Sequence, residues 1–330
     1  MPHSGSGFPA QRMHGHQQAR PSEIQAALAL LGQLDGDVLW DEPLAAHSTL
    51  GVGGPVAAWF CPNTRASLIE ATRIADRASI PVFAMGGGSN VLFPDGRVEA
   101  VAIHTGNLDR VRLDAHEVLV ETGVSIQQLL AQLHEQDHHQ LSFLAGIPGT
   151  VGGALVGNAG TADHWIGDTV RDVEVLCGEE TVRWLGHEEC RFGYRTSGLG
   201  RPFVILGAHL RIDGENFDEK EILSHKRATQ PIGARTAGCV FRNPDTRSAG
   251  KLIEEAGLKG ARIGNVRISE KHANFIENLG GARSAEIRYI IDIVREKVYK
   301  FHRVLLELEI EVFDGWTREG VQAKPSGGDL

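Results

Sequence analysis

Residues 144–160 read LAGIPGTVGGALVGNAG, six glycines in seventeen positions and no charged side chain. Glycine at this density weakens helices and strands alike, because it loses more backbone entropy on ordering than any other residue. Such main chain can instead approach a ligand closely, with N–H groups free to point at an anion such as a pyrophosphate. An apolar loop packed under a sheet would have the same composition. A second cluster, Gly86-Gly87-Gly88-Ser89-Asn90, closes the strand-like run IPVFAM at 80–85 and favours the ligand reading. Neither cluster is a GxGxxG followed by a spaced acid, nor a GxxxxGK[ST] loop, so the common nucleotide fingerprints are absent.

With 330 residues the chain exceeds a single simple core, and two or three domains are expected. A formal charge of −9 argues against a nucleic-acid partner, which would require a basic stripe. The four cysteines, Cys61, Cys177, Cys190 and Cys239, show no CxxC and no paired spacing. Neither a bound metal nor a disulfide framework is expected, and a reducing cytoplasm fits. No uncharged run is long enough to span a bilayer, so no membrane association is expected. Residues 1–21 lack an apolar signal core and read as a disordered tail, whose His3, His14 and His16 bind metal weakly at most.

Order is expected from Ser22, where Ser-x-x-Gln25 has the form of a capping box and Ile24, Leu28 and Leu31 repeat at helical spacing. The turn HSTLGVGGP at 47–55 precedes a strand at 57–60 and a helix capped by Asn63 or Thr64 that runs to about 79. Strands follow into Gly86, at 91–93 and through Val101 and Ile103. Next come a strand at 118–121, a helix capped at Ser125, and strands at 170–176, 182–185 and 203–212. Helices are expected over 219–229, 250–256 and from Ser284. A final strand over 306–312 alternates Leu306, Leu308, Ile310 and Val312 on one face, with Glu307, Glu309 and Glu311 on the other. These runs divide the chain into a tail at 1–21, units at 22–105, 106–214 and 215–316, and a second tail at 317–330.

Taken together the segments resemble one family, the UDP-N-acetylenolpyruvoylglucosamine reductases of peptidoglycan precursor synthesis. The carriers are GGGSN at 86–90, AGIPGTVGGALVGNAG at 145–160, FGYRTS at 192–197 and GCVFRNP at 238–244. AGKLIEEAGLKG at 249–260, EKHANFI at 270–276 and LEIEV at 308–312 complete the set. The resemblance implies an α+β fold: a two-part FAD-binding region of the vanillyl-alcohol-oxidase type, then a smaller α+β substrate domain, in the branch lacking an extra tyrosine loop. It implies FAD as cofactor, NADPH as hydride donor and a UDP-sugar enolpyruvyl ether as substrate, reduced to UDP-N-acetylmuramate, with no metal. A monomer is expected.

The family's reaction needs a rigidly held flavin, stabilisation of charge spreading into the substrate carboxylate, and an acid near the carbon that receives the proton. By resemblance the acid is Cys239, where most members carry serine; a thiol is mostly protonated at neutral pH and more acidic than a hydroxyl. A small buried cysteine filling a gap is the plain alternative. Arg195 matches the family's catalytic arginine, its planar fork suited to a carboxylate, although a surface ion pair would use the same residue. Glu311 is taken as the catalytic glutamate from its place before the valine of LEIEV, with Glu307 and Glu309 on a solvated face. For the cofactor the resemblance implies Thr49, Gly86, Gly87, Gly88, Ser89, Asn90, Gly146, Ile147, Gly149, Gly152, Gly153, Ala154 and Asn158. For the substrate it implies Tyr194, Lys226, Arg227 and Asn243; cations dressing a helix C-terminus account equally for Lys226 and Arg227. The residues 47–51 and Thr161 depart from the family pattern. Two competing classes remain: an oxidase on the same flavin fold, and a non-catalytic relic in which Cys239 has ended turnover.

Overall fold

The computed structural model describes residues 21–178, 181–200, 203–245 and 247–313. The expected tails, with His3, His14 and His16, lie outside these apart from Pro21. Helix α1 (Pro21–Leu31) begins at a proline, which suits a first helical turn, so Ser22 sits inside the helix rather than ahead of it. Then come β1 (Gly36–Pro43), β2 (Pro55–Pro62), α2 (Arg65–Arg77), β3 (Val82–Met85), β4 (Val91–Leu92) and β5 (Val98–His104). The first sheet has the order β1-β2-β5-β3, with β1 antiparallel to β2 and the other pairs parallel. Thr64 caps α2 by accepting from Ser67 N, and Leu68, Ala71 and Ala75 are buried. Strand β1 has no counterpart in the sequence reading. It is an edge strand with Leu39 and Trp40 exposed, so it carries no inward alternation to detect.

The second sheet is built from β6 (Val111–Leu113), β7 (Glu117–Glu121), β8 (Val170–Cys177), β9 (Thr181–Gly186) and β10 (Phe203–Arg211). Its order is β6-β7-β10-β8-β9, antiparallel throughout. Between β7 and β8 run α3 (Ile126–His134), α4 (Val151–Val156) and α5 (Ile166–Thr169). Ser125 caps α3, which buries Ile126, Leu129, Leu130 and Leu133 against Val118, Val120 and Val173 of the sheet. Helix α4 lies inside the glycine-rich segment. There the Thr150 cap and the burial of Val151 and Leu155 outweigh the helix-weakening glycines.

The C-terminal part contains α6 (Glu219–Thr229), α7 (Ala249–Glu255), β11 (Arg262–Ile263), β12 (Val266–Ile268), β13 (Ile276–Asn278), α8 (Ser284–His302) and β14 (Glu311–Val312). The short sheet β11-β12-β13 packs with α7 and α8, whose Ile287, Ile291, Val294 and Val298 are buried. The final segment is not the continuous strand expected. Leu308 bridges to Phe241, the N–H groups of Glu309 and Ile310 both point at the Val240 carbonyl (2.8 and 3.5 Å), and the chain bends there. Only then does β14 pair, in parallel, with β4. Phe313 packs on Phe83 and Phe93, and Asp95 accepts from the N–H groups of Ser284 (2.7 Å) and Ala285 (3.2 Å) at the start of α8. Both contacts bind the C-terminal part to the first sheet. Among the described residues no helix is long and apolar enough to cross a membrane, and no group of three His, Cys, Asp or Glu side chains could hold a metal ion.

Candidate active site

The two glycine clusters meet backbone to backbone. A Cβ on Gly87 would lie 2.8 Å from Gly149 Cα, and Ser89 Oγ donates to Pro148 O (3.1 Å). Gly88 has φ +59° and faces the His47 carbonyl, where a Cβ would come within 1.9 Å. Gly86 packs on Thr150 and Gly152 on Thr122, each without room for a side chain. Among the described residues none accepts a hydrogen bond from the N–H of Gly87, Gly88, Ser89 or Asn90. Gly87, Asn90, Gly146 and Gly153 are exposed, and Ile147 and Gly149 are half-buried. Unpaired N–H groups beside side-chain-free main chain are what a dinucleotide's phosphates require, so this surface fits FAD. The buried hydroxyls of Ser48 and Thr236, which no protein group among the described residues satisfies, fit a polar ring edge.

Three residues expected to hold the cofactor are engaged within the protein. Thr49 Oγ1 donates to Thr236 O (2.7 Å), and its N–H donates to Gly88 O (3.1 Å), linking three segments. Asn158 is buried: its Nδ2 donates to Gly193 O and its Oδ1 accepts from Gly167 N, both at 2.9 Å. Ala154 is buried in the core of the second sheet.

Arg195 occupies a two-residue turn closed by reciprocal hydrogen bonds between Gly193 and Thr196, in a left-handed conformation (φ 53°). Asn158 grips the near side of that turn. From it the guanidinium reaches Gly160 O through Nη2 (3.0 Å) and Glu309 Oε1 through Nε (3.1 Å). Its third nitrogen, Nη1, is buried with no partner among the described residues. Glu309 is mostly buried, and burial pushes its carboxyl above the usual range, against the pull of Arg195 and Arg242.

The expectation that Glu309 lies on a solvated face is thereby corrected; Glu311, expected as the catalytic glutamate, is placed elsewhere. The bend at 309–310 breaks the strict alternation, so the two glutamates do not share a face. Glu309 turns to Arg195, whereas Glu311 lies exposed on β14, its N–H donating to Asn90 O (2.9 Å). Asn90 also donates through Nδ2 to Glu309 O (3.2 Å), joining the GGGSN cluster to this pair.

Cys239 follows Gly238, whose φ is +80°, and bridges to Phe275. Asn274 was not foreseen as part of the site. It receives Phe241 N–H on Oδ1 (3.0 Å), donates to Phe241 O (2.7 Å) and favours the thiolate of Cys239. Burial first, then the charge of Glu309, push the Cys239 thiol up to about 12, with Arg195 and Asn274 opposing. Arg195, Cys239 and Glu309 therefore act on one another. Lys226 joins them: its Nζ donates to Ala145 O (2.6 Å), and burial, followed by the Arg195 charge, lowers its pKa to about 8. Tyr194 and Asn243 meet on the exposed rim, where Asn243 N–H donates to the phenol oxygen (3.4 Å) while Asn243 Oδ1 accepts from Ala249 N. Arg227 is exposed. A separate cavity of about 370 Å³, lined by Arg235, Glu277 and Asn278 among others, includes none of the expected site residues.

Two family models match the chain: an FAD binding domain over residues 55–186, and the C-terminal domain of UDP-N-acetylenolpyruvoylglucosamine reductase over 230–313. The reductase of Syntrophobacter fumaroxidans is 38% identical over 296 residues, 86% of each chain. That of Bacillus subtilis is 35% identical over 85% of this chain and 95% of its own. The crystal structure of the Thermus caldophilus reductase superposes with a TM-score of 0.71 at 34% identity, covering 84% of this chain and 98% of that one. The fold is accordingly α+β, with an FAD-binding region followed by a smaller C-terminal part. The chain belongs to the UDP-N-acetylenolpyruvoylglucosamine reductase family of FAD-dependent oxidoreductases.

Proposed function

We propose that the chain reduces UDP-N-acetylglucosamine enolpyruvate to UDP-N-acetylmuramate at the expense of NADPH. The observation that carries this reading is the Arg195–Glu309 pair beside the Cys239 thiol, tied through Asn90 to the glycine surface. FAD, held by the main chain of 86–90 and 146–153 with Ser48 and Thr236 nearby, would supply the hydride, taken from NADPH, to the vinyl carbon of the substrate.

The protein's own groups do the rest. Arg195 keeps Nη1 unpaired and buried, so its donor is available to a carboxylate gaining electron density, while Gly160 O and Glu309 hold the other two nitrogens. Donors fixed in advance need no reorganisation when charge develops, and low local dielectric strengthens them. Cys239, with its pKa raised to about 12, keeps its proton at neutral pH until a strongly basic carbon centre takes it. Lys226, poised between α6 and Ala145, supplies a cation for the substrate's diphosphate, with Arg227, Tyr194 and Asn243 on the rim. The reading gives a soluble-substrate enzyme working as a monomer in the cytoplasm.

The purified protein should be yellow and should consume NADPH far faster with the enolpyruvyl UDP-sugar than with oxygen as acceptor. The reverse preference would make it an oxidase on the same fold and end this reading.

A further inference from the structure

We propose that Arg242 is a positioning residue for the Arg195–Glu309 pair, a role that rests on the proposed reaction only for its catalytic consequence. Arg242 stands three residues after Cys239, where its N–H donates to Glu307 O (2.9 Å) and fixes the strand-like segment beside the bend at Glu309. Its side chain turns back across the site. Nη2 donates to the carbonyl of Arg195 itself (3.4 Å), at the residue held in the left-handed conformation. Its positive charge acts on Glu309, and its Nε is buried without a partner among the described residues.

One side chain thus touches the main chain of the arginine and the field of the glutamate. A non-glycine residue at positive φ persists only where its surroundings over-determine it. The closing bonds of the Gly193–Thr196 turn, Asn158 on Gly193 O and Arg242 on Arg195 O together do so. The charge has a second effect. Burial favours the neutral form of Glu309, and the carboxylate is needed to hold Arg195 Nε. The charged and titratable groups facing Glu309 are Arg195 from the turn after β9, and Cys239 and Arg242 from the 239–242 segment, with Lys226 of α6 acting on Arg195. Of the two cations that act directly on Glu309, Arg242 makes no ion pair with it among the described residues, so it can shift the titration without being part of the bond.

The test titrates Glu309 in the flavin-loaded enzyme without substrate, by carbon-13 chemical shift, with Glu309→Gln to assign the signal. Arg242→Gln should move the midpoint up by about one pH unit, and Arg242→Lys, which keeps the charge, should return it most of the way. The acid limb of kcat should move in the same direction, with KM changing less. An unmoved midpoint in Arg242→Gln overturns the proposal. Should Arg242→Gln fail to fold, Arg242→Met, which keeps length and loses the charge, takes its place: a midpoint displaced upward supports the role, and a parental one overturns it. The titration needs no turnover, so a parent enzyme inactive toward the UDP-sugar would refute the reaction and leave this result readable.

Discussion

Arg195 Nε and Glu309 Oε1 lie 3.1 Å apart, although the two residues come from different parts of the fold and from opposite sides of the Cys239 segment. The pair is largely shielded from water, so each charge depends on the other. Removing the carboxylate leaves a guanidinium free to turn away from the reacting carboxylate. Glu309→Gln should lower kcat by roughly a hundredfold or more, the scale of losing one fixed stabilising contact. Glu311→Gln, on an exposed strand whose contact with Asn90 is through the backbone, should leave kcat close to the parent's. Steady-state kinetics of the two variants decide between them, and the opposite ranking would restore Glu311.

Much of this architecture can be read from residue order. Ser125 and Thr64 start their helices where side-chain acceptors followed by apolar spacing say they should, and Asp218 caps Glu219–Thr229 likewise, whereas Ser284–His302 starts as expected but has its first N–H groups met by the distant Asp95. What escapes is decided by tertiary contacts. Strand β1 buries too little to show a pattern, and α4 forms where glycine propensity speaks against it. The expectation of a solvated Glu309 fails for the same reason. Alternation along 306–312 assumes a flat strand, and the bend at Glu309 depends on a carbonyl, Val240 O, that lies far away in sequence. Arg195 and Cys239, embedded in dense motifs, lie close enough for the guanidinium to act on the thiol.

The thiol of Cys239 is held far from ionisation. A pKa near 12 against a free-cysteine value near 9 leaves about a thousandth of the usual thiolate at neutral pH. Iodoacetamide should therefore label Cys239 far more slowly than Cys177, a thiol of the same exposure class, as peptide mass spectrometry over time will show. Cys239→Ser should retain measurable turnover. Cys239→Ala should still allow NADPH to bleach the flavin yet stall reduction of the UDP-sugar; parental turnover in that variant would remove Cys239 from the role of acid.

Lys226 gives the basic side of the pH profile. Its folded-state pKa is lowered to about 8, so the cation is present below that pH and is lost as pH rises through it. Attraction for a diphosphate disappears with it. In the parent kcat/KM should fall above about pH 8, chiefly through KM. Lys226→Arg keeps its charge to far higher pH and should move this limb upward. A limb unmoved in that variant would assign the titration elsewhere.

Gly88 tests the flavin surface. With φ +59° and the His47 carbonyl 1.9 Å from any added Cβ, Gly88→Ala must displace main chain. Left-handed strain alone costs about 1–3 kcal/mol, and the clash adds to it. The variant should melt several degrees lower and lose its visible absorbance on gel filtration. Gly96→Ala, where no atom of the described residues lies within 4 Å of the new Cβ, should do neither.

Asn158 separates two roles that motif matching merges. As a ligand of the cofactor its loss would weaken FAD binding and leave the apo-protein as stable as before. As a bracket between Gly167 N and Gly193 O its loss strands two groups of the turn that carries Arg195, each costing about 1–3 kcal/mol if left unpaired and buried. Its φ of 44° adds a penalty for most replacements. Asn158→Ala should therefore lower the melting temperature of the flavin-free protein and reduce kcat through the displaced guanidinium. Asn158→Asp keeps an acceptor for Gly167 N but sets a carboxylate oxygen against Gly193 O, so it should rescue neither property fully. A variant with an unchanged apo melting temperature and a weakened grip on FAD would return Asn158 to the cofactor's contacts and leave the Arg195 turn to be held by its own closing bonds and Arg242.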